Sequence, residues 1–394
     1  MKMVTVGDLG KIITGKTPPT KDKDNYGGDI PFITPVDMVG NRNIFNTERY
    51  ISKKGLNTVK NCFLPEHSVC VSCIGSDMGK SVITVKPSVT NQQINSIIVD
   101  ENSYDYLYVY YLMRTLEEKI KSLGKNATAV PILNKTKFSN IEVSIFDDLE
   151  RQKAISSILS AYDNLIENNQ KQIKLLEEAA QRLYKEWFVD LRFPGYETTP
   201  IVDGLPEGWR KDTIGGICSL KKDVVTTEQI PKGTPYIGLE HIPRVDFCLS
   251  SWGNAEDVTS NKYKYDEDDI IFGKIRPYFH KVGFAINNGV VSTDSFVMRA
   301  KNGLWGILLM TVFDKAFVDY TYQTCKEGAK MPRADWRQME KFEVLIPDDA
   351  VRQAFEDYIW SITRRIKTLA FQNRGLSEAR DRLLPKLMSG EIEV

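Results

Sequence analysis

The chain has little cysteine, little histidine and no long hydrophobic run. Six cysteines and three histidines are spread over 394 residues. Thiols so few and scattered fit a reduced cytosolic protein, not a disulfide frame. Net charge is also missing, because 52 basic residues face 52 acidic ones. No overall basic field announces nucleic acid, so any DNA binding has to come from local patches. Residues 1–9 have no apolar core of signal-peptide length. The longest apolar stretch, 304–313, contains Gly306 and Thr311 and is too short to span a bilayer. The expectation is a cytoplasmic protein with no membrane partner. Catalytic signatures are absent as well: no Asn-Pro-Pro-aromatic methyltransferase motif, no glycine-rich cofactor loop, no nuclease carboxylate cluster with a following lysine. The chain reads as a recogniser, not an enzyme.

What is present is a repeat. With 42% apolar and 26% charged residues the chain is globular, and its length suits two or three domains. Slid by 201 residues, it meets itself. Pro131 lands on Pro332, Ile141 and Val143 on Phe342 and Val344, Asp147-Asp148 on Asp348-Asp349, and Arg151-Gln152 on Arg352-Gln353. Upstream, Val69, Ser72, Ile74 and Lys80 meet Ile270, Gly273, Ile275 and Lys281. A shift of 204 aligns Pro31-Phe32-Ile33 with Pro235-Tyr236-Ile237, so a small length change lies between. Each copy is a β-rich globule followed by a long helix. Strands are expected at 69–74, 81–85, 94–99, 269–272 and 296–299, where short β-branched or apolar runs lie between turn residues. One helix each is expected at 104–123 and 304–325.

The long helices give the clearest periodicity. Ile155, Leu159, Tyr162, Ile166, Asn169, Ile173, Leu176, Ala180, Leu183 and Trp187 step by four and three. So do Phe355, Ile359, Ile362, Ile366, Leu369, Asn373, Leu376, Arg380, Leu383 and Leu387. This is a coiled-coil seam, and the seam residues Asn169 and Asn373 are of the type that fixes register at a cost in stability. The bland alternative is two amphipathic helices lying on their own globules; the narrow stripe favours helix-on-helix pairing. Pro194, Gly195, Pro200, Gly204, Pro206 and Gly208 turn the chain between the copies, so the helices are expected to pair antiparallel.

Two motifs tempt. Gly10-Lys11-Ile12-Ile13-Thr14-Gly15-Lys16-Thr17 spells a P-loop, and 97–101 resembles its acidic partner strand. A P-loop lysine must open a helix whose amides cradle phosphate, yet Pro18-Pro19 follows at once. Neither element survives in the second copy. Cys70 and Cys73 have C-x-x-C spacing but no second pair, and in a strand they point to opposite faces.

Basic and amide-bearing loops are more informative. Lys274, Arg276, Tyr278, His280 and Lys281 crowd one turn, and Lys326, Lys330 and Arg333 stand in another. The first copy offers Lys16, Thr17, Ser76, Lys80, Asn91, Gln92 and Gln93. Arg can read guanine in the major groove, Asn or Gln adenine, and Lys on phosphate adds affinity without sequence information. For any one of them a solvated hairpin remains an equal reading. Gly75 stands where Arg276 stands and Cys73 where Lys274 stands, so the two turns should read different bases.

Leu383-Leu384-Pro385-Lys386-Leu387-Met388-Ser389-Gly390-Glu391, preceded by Ala379-Arg380-Asp381, resembles the C-terminal signature of Type I restriction specificity subunits. Trp187-Phe188, Phe193-Pro194-Gly195 and Leu205-Pro206-Glu207-Gly208-Trp209 resemble that family's hinge. Gly15-Lys16-Thr17-Pro18 with Asp29-Ile30-Pro31-Phe32 looks like the start of a target recognition domain, and Gly328-Ala329-Lys330-Met331-Pro332-Arg333 like a loop near the end of one.

The resemblance implies an α+β chain: two repeated β-rich target recognition domains with small helices, separated by a long antiparallel two-helix coiled coil. Its expected segments are a first recognition domain at 1–148, a helix at 149–191, a hinge at 192–208, a second recognition domain at 209–348, and a helix with its tail at 349–394. It further implies double-stranded DNA, two adenine-N6 methyltransferase subunits and two restriction subunits as partners. S-adenosylmethionine, ATP and Mg would belong to those partners, with no cofactor, metal or catalytic residue on this chain. The rivals are a coiled-coil scaffold that reads no DNA and a P-loop nucleotide hydrolase.

Overall fold

The computed structural model describes residues 1–394 except 39, 41, 76, 125–131 and 326–329. Ser76, Pro131, Lys326, Gly328 and Ala329 therefore lie outside the described residues. Two compact units emerge, one made of 1–167 with 374–394, the other of 168–373. Each long helix is thus divided between the two.

In the first unit the main sheet has five strands in the spatial order Gly10–Thr14, Ile94–Val99, Val69–Ser72, Ser81–Thr84, Asn43–Ile44. The second unit repeats that order with Cys218–Lys221, Ser295–Ala300, Ile270–Gly273, Val282–Ala285 and Cys248–Leu249. Registers repeat too. Ile94 opposes Ser72 as Ser295 opposes Gly273. In the second sheet of each unit, Phe32 and Ile33 run parallel to Val89 and Thr90, as Tyr236 and Ile237 do to Val290 and Val291. The apolar runs read as strands are strands because both of their faces are covered. Val69, Val71 and Cys73 fall in one apolar cluster and Cys70 in another, on opposite faces of the sheet. Burial pushes the Cys70 and Cys73 thiols up to about 12 and about 11, which suits inert core residues, not metal ligands.

The segments expected as one helix apiece are two each. Tyr106–Thr115 is followed by Glu117–Gly124, and Trp305–Phe313 by Lys315–Gln323. In the second unit the break has a capping cause. Asp314 leaves helical geometry at ψ 142° and its side chain accepts from Ala316 N–H, starting a new helix. All nine residues of Trp305–Phe313 are buried. Among the described residues, no helix is long and apolar enough to cross a membrane.

The long helices are Leu149–Tyr184, continued by a π-helical turn at Lys185–Val189, and Asp349–Ser389. Asp148 caps the first through Glu150 N–H, and Asp348 the second through Ala350 and Val351 N–H. Gly390, at φ +79°, ends the second. Every position of the two apolar series is buried or half-buried. Within the first unit, Phe146 lies against Gly390 while Asp163 pairs with Arg380. Within the second, Trp187 meets Phe355 with ring centroids 5.7 Å apart, while Arg365 donates to Gln172 at 3.3 Å. In both, the two helical segments run antiparallel.

Pairing with the other helix and lying on a globule proved compatible. Ile155, Leu159, Leu384, Leu387 and Met388 join the core of the first unit. Ala180, Trp187, Phe355, Ile359 and Ile366 join that of the second. The signature segments are structural for the same reason. Trp209 packs on Phe188 and Phe193, at 5.6 and 4.8 Å between ring centroids.

Candidate nucleic-acid interface

Three backbone hydrogen bonds build one end of the main sheet, and each unit makes all three. Ser72 N–H donates to Lys80 C=O as Gly273 N–H does to Lys281 C=O, both at 2.9 Å. Cys73 N–H donates to Gln93 C=O at 2.7 Å, and Lys274 N–H to Asp294 C=O at 2.8 Å. Leu133 N–H donates to Cys73 C=O at 2.9 Å, and Ala334 N–H to Lys274 C=O at 2.8 Å. The turn after the third strand, the turn before the last strand and a returning segment are thereby held at one edge. Isolated bridges between Ile74 and Ile132, and between Ile275 and Arg333, close the same frame.

In the first unit this edge gathers the described residues among those singled out from sequence. Lys16 N–H bonds Thr90 C=O at 2.9 Å, which sets Lys16 and Thr17 beside the 91–93 turn. Thr17 Oγ1 donates to Gln92 Oε1 at 2.7 Å. Lys16 and Gln92 are exposed. Asn91 is buried and shapes the turn: its side chain donates to Gln93 Oε1 at 2.9 Å and accepts from Gln93 N–H at 3.0 Å. Lys80 pairs with Asp77 at 2.5 Å. The P-loop spelling has no phosphate nest, because Gly10–Thr14 is a strand paired along its length with Val99 to Asn95. Gly15 packs on the carbonyls of Thr90 and Asn91, not at a helix start.

In the second unit most of the basic groups are occupied within the fold. Lys274 Nζ donates to Thr293 C=O at 2.6 Å and lies over the Phe296 ring at 4.5 Å. Burial pushes the Lys274 and Lys281 ammonium groups below their ordinary range. Lys281 donates to Leu239 C=O, and Arg333 pairs with Asp294. His280 Nε2 meets Phe313 C=O at 2.7 Å, and burial holds the ring below the ordinary histidine value. The neutral ring therefore donates there. Tyr278 is exposed, edge-on to Phe279 and Tyr322. Lys330 is exposed.

Arg276 differs from these. Its guanidinium makes no hydrogen bond or ion pair to any described residue, and its Nε is sealed from solvent without a partner. Its backbone is left-handed at φ +52°, as is that of His280. The first unit has glycine at both equivalent positions, Gly75 at φ +93° and Gly79 at φ +89°. One turn shape serves both units, and the second unit fills it with side chains that cost about 1–3 kcal/mol each in backbone strain. A Cβ at Gly75 would meet nothing within 4 Å, whereas one at Gly79 would strike Glu117.

A cleft of about 760 Å³ adjoins this edge, with Lys222, Lys274, Phe296, Arg333, Trp336 and Arg337 among its lining. Sequence reasoning missed Lys222 and Arg337, and missed Lys135 and Lys137 on the equivalent short helix of the first unit. The repeated helix caps Asn134 and Asp335 were the available signal.

Residues 1–178 match the family model for the Type I restriction modification DNA specificity domain. Relatives extend the likeness beyond the first repeat. The chain is 26% identical to the Type I restriction enzyme MjaIX specificity subunit of Methanocaldococcus jannaschii, over 99% of this chain and 93% of that one. It is 39% identical to the HindI specificity subunit of Haemophilus influenzae, over 42% of this chain and 37% of that one. Its fold is that of the Type I restriction-modification S subunit from M. genitalium, at a TM-score of 0.58 and 14% identity over 98% of this chain and 96% of that one.

Proposed function

We propose that this Type I specificity chain reads a bipartite, asymmetric DNA site, one half with each unit. The carrying observation is the shared hydrogen-bond frame at the sheet edge, which presents two different sets of side chains. The first set centres on Lys16, Thr17, Lys80, Gln92 and Gln93, with Asn91 shaping the turn; Ser76, outside the described residues, is proposed from its sequence position alone. The second centres on Lys274, Arg276, Tyr278, His280, Lys281, Lys330 and Arg333. The antiparallel helices set the distance between half-sites, with Asn169 and Asn373 fixing their register. They dock two adenine-N6 methyltransferase subunits and, for cleavage, two restriction subunits. S-adenosylmethionine, ATP and Mg act on those partners, and this chain contributes recognition without catalysis, in the cytoplasm.

The test is duplex DNA binding by the chain assembled with its methyltransferase, followed by fluorescence anisotropy across a salt series. Phosphate contacts require affinity to fall linearly in log–log form as salt rises. A coiled-coil scaffold that reads no DNA would show no such dependence.

A further inference from the structure

We infer that position 276 determines specificity at one guanine-containing base pair of the second unit's half-site. The inference rests on the proposed DNA reading and deepens it. Around this edge Lys274, His280, Lys281 and Arg333 are each engaged with protein partners. The Arg276 guanidinium lies over the Phe279 ring, 5.7 Å from its centroid, but makes no hydrogen bond or ion pair among the described residues, and its buried Nε is unpartnered. The position also carries a backbone that glycine would adopt without strain, and the first unit has glycine there. Strain of this kind persists where the side chain has a use. Open space around the Gly75 Cβ position means that the frame leaves room for a side chain which only the second unit supplies. A planar guanidinium with unengaged Nη groups matches the O6 and N7 acceptors of guanine, a geometry that a lysine ammonium cannot reproduce.

The experiment is methylome sequencing of cells carrying the assembled methyltransferase with the native chain, Arg276→Gly or Arg276→Lys. For Arg276→Gly the expected result is a motif degenerate at one position of one half-site, with discrimination there reduced at least tenfold and the other half-site unchanged. The thermal midpoint of the purified variant should not fall, since glycine relieves the strained turn. Arg276→Lys should retain methylation but also lose discrimination at that position. An unchanged motif in the lysine variant, or a uniform loss of methylation over all positions in a folded glycine variant, would overturn the inference by making Arg276 a phosphate or packing residue. Absence of any sequence-specific methylation with the native chain would instead overturn the proposed function.

Discussion

Arg380, near the end of the second long helix, closes a buried ion pair with Asp163 on the first. The other carboxylate oxygen of Asp163 accepts from Tyr111 Oη at 2.5 Å. Burial pushes the Tyr111 hydroxyl up, so it stays protonated and donates. Arg42 completes the group by donating to Asn164 Oδ1 at 2.6 Å. Both helical segments are thereby tied to the first globule. Arg380→Met leaves Asp163 charged and short of its partner, and should destabilise by about 3–5 kcal/mol. Arg380→Lys keeps the charge and should cost less. Urea unfolding of the two variants against the native chain checks the order.

Glu177 predicts a pH dependence. It is 3% exposed, and its Oε1 accepts from Phe247 and Cys248 N–H at 3.0 and 3.2 Å. Burial, reinforced by Asp246, pushes its carboxyl up to about 8. The folded state therefore holds this proton more tightly than the unfolded chain, whose carboxyl titrates near 4.5. Stability from this group is full below that value, falls as pH rises, and is lost above about 8. Glu177→Gln keeps the accepting oxygen without the charge. It should raise stability by up to a few kcal/mol above pH 8 and flatten the profile between 4.5 and 8. Thermal midpoints across that range measure the difference.

Glu356 caps a helix from outside it. Leu304, at the N-cap of Trp305–Phe313, offers no capping side chain. The two Glu356 oxygens instead accept from Gly306 and Ile307 N–H at 2.7 and 3.1 Å. The first unit does this locally, with Asp105 accepting from Tyr108 N–H. Glu356→Ala orphans two buried amides and should cost about 2–5 kcal/mol. Glu356→Gln has one accepting oxygen and should fall between alanine and the native residue. Chemical denaturation of the three chains orders them.

Lys16 and Lys330 are exposed, and no hydrogen bond or ion pair to a described residue engages either ammonium group. As phosphate contacts, each should weaken binding evenly across DNA sequences when changed to alanine. Each should also lower the steepness of the log affinity against log salt by roughly one. Anisotropy titrations with cognate and scrambled duplexes check both effects.

The repeat was legible because strand registers leave a period in the sequence. The shift of 201 residues that aligns Val69 with Ile270 also aligns the hydrogen bonds of Cys73 and Lys274. The helix seam was legible for the same reason, since its apolar steps follow helical geometry. Pairwise chemistry was not. Asp163, Glu177 and Glu356 are polar residues beside the seam, buried because the long helices also cover the globules. Their partners lie at least 49 residues away, where no local pattern reaches. At the interface, residue type located Arg276 and His280 in one turn. It could not separate a guanidinium without a hydrogen-bond partner from an imidazole committed to Phe313.

The central claim is that two unlike readers sit on one repeated frame. Methylome sequencing with and without this chain tests it most directly. The account predicts a motif present only with the chain, in two specific halves of different sequence separated by a gap of fixed length. A palindromic motif, a single uninterrupted one, or methylation unchanged by removing the chain would contradict it.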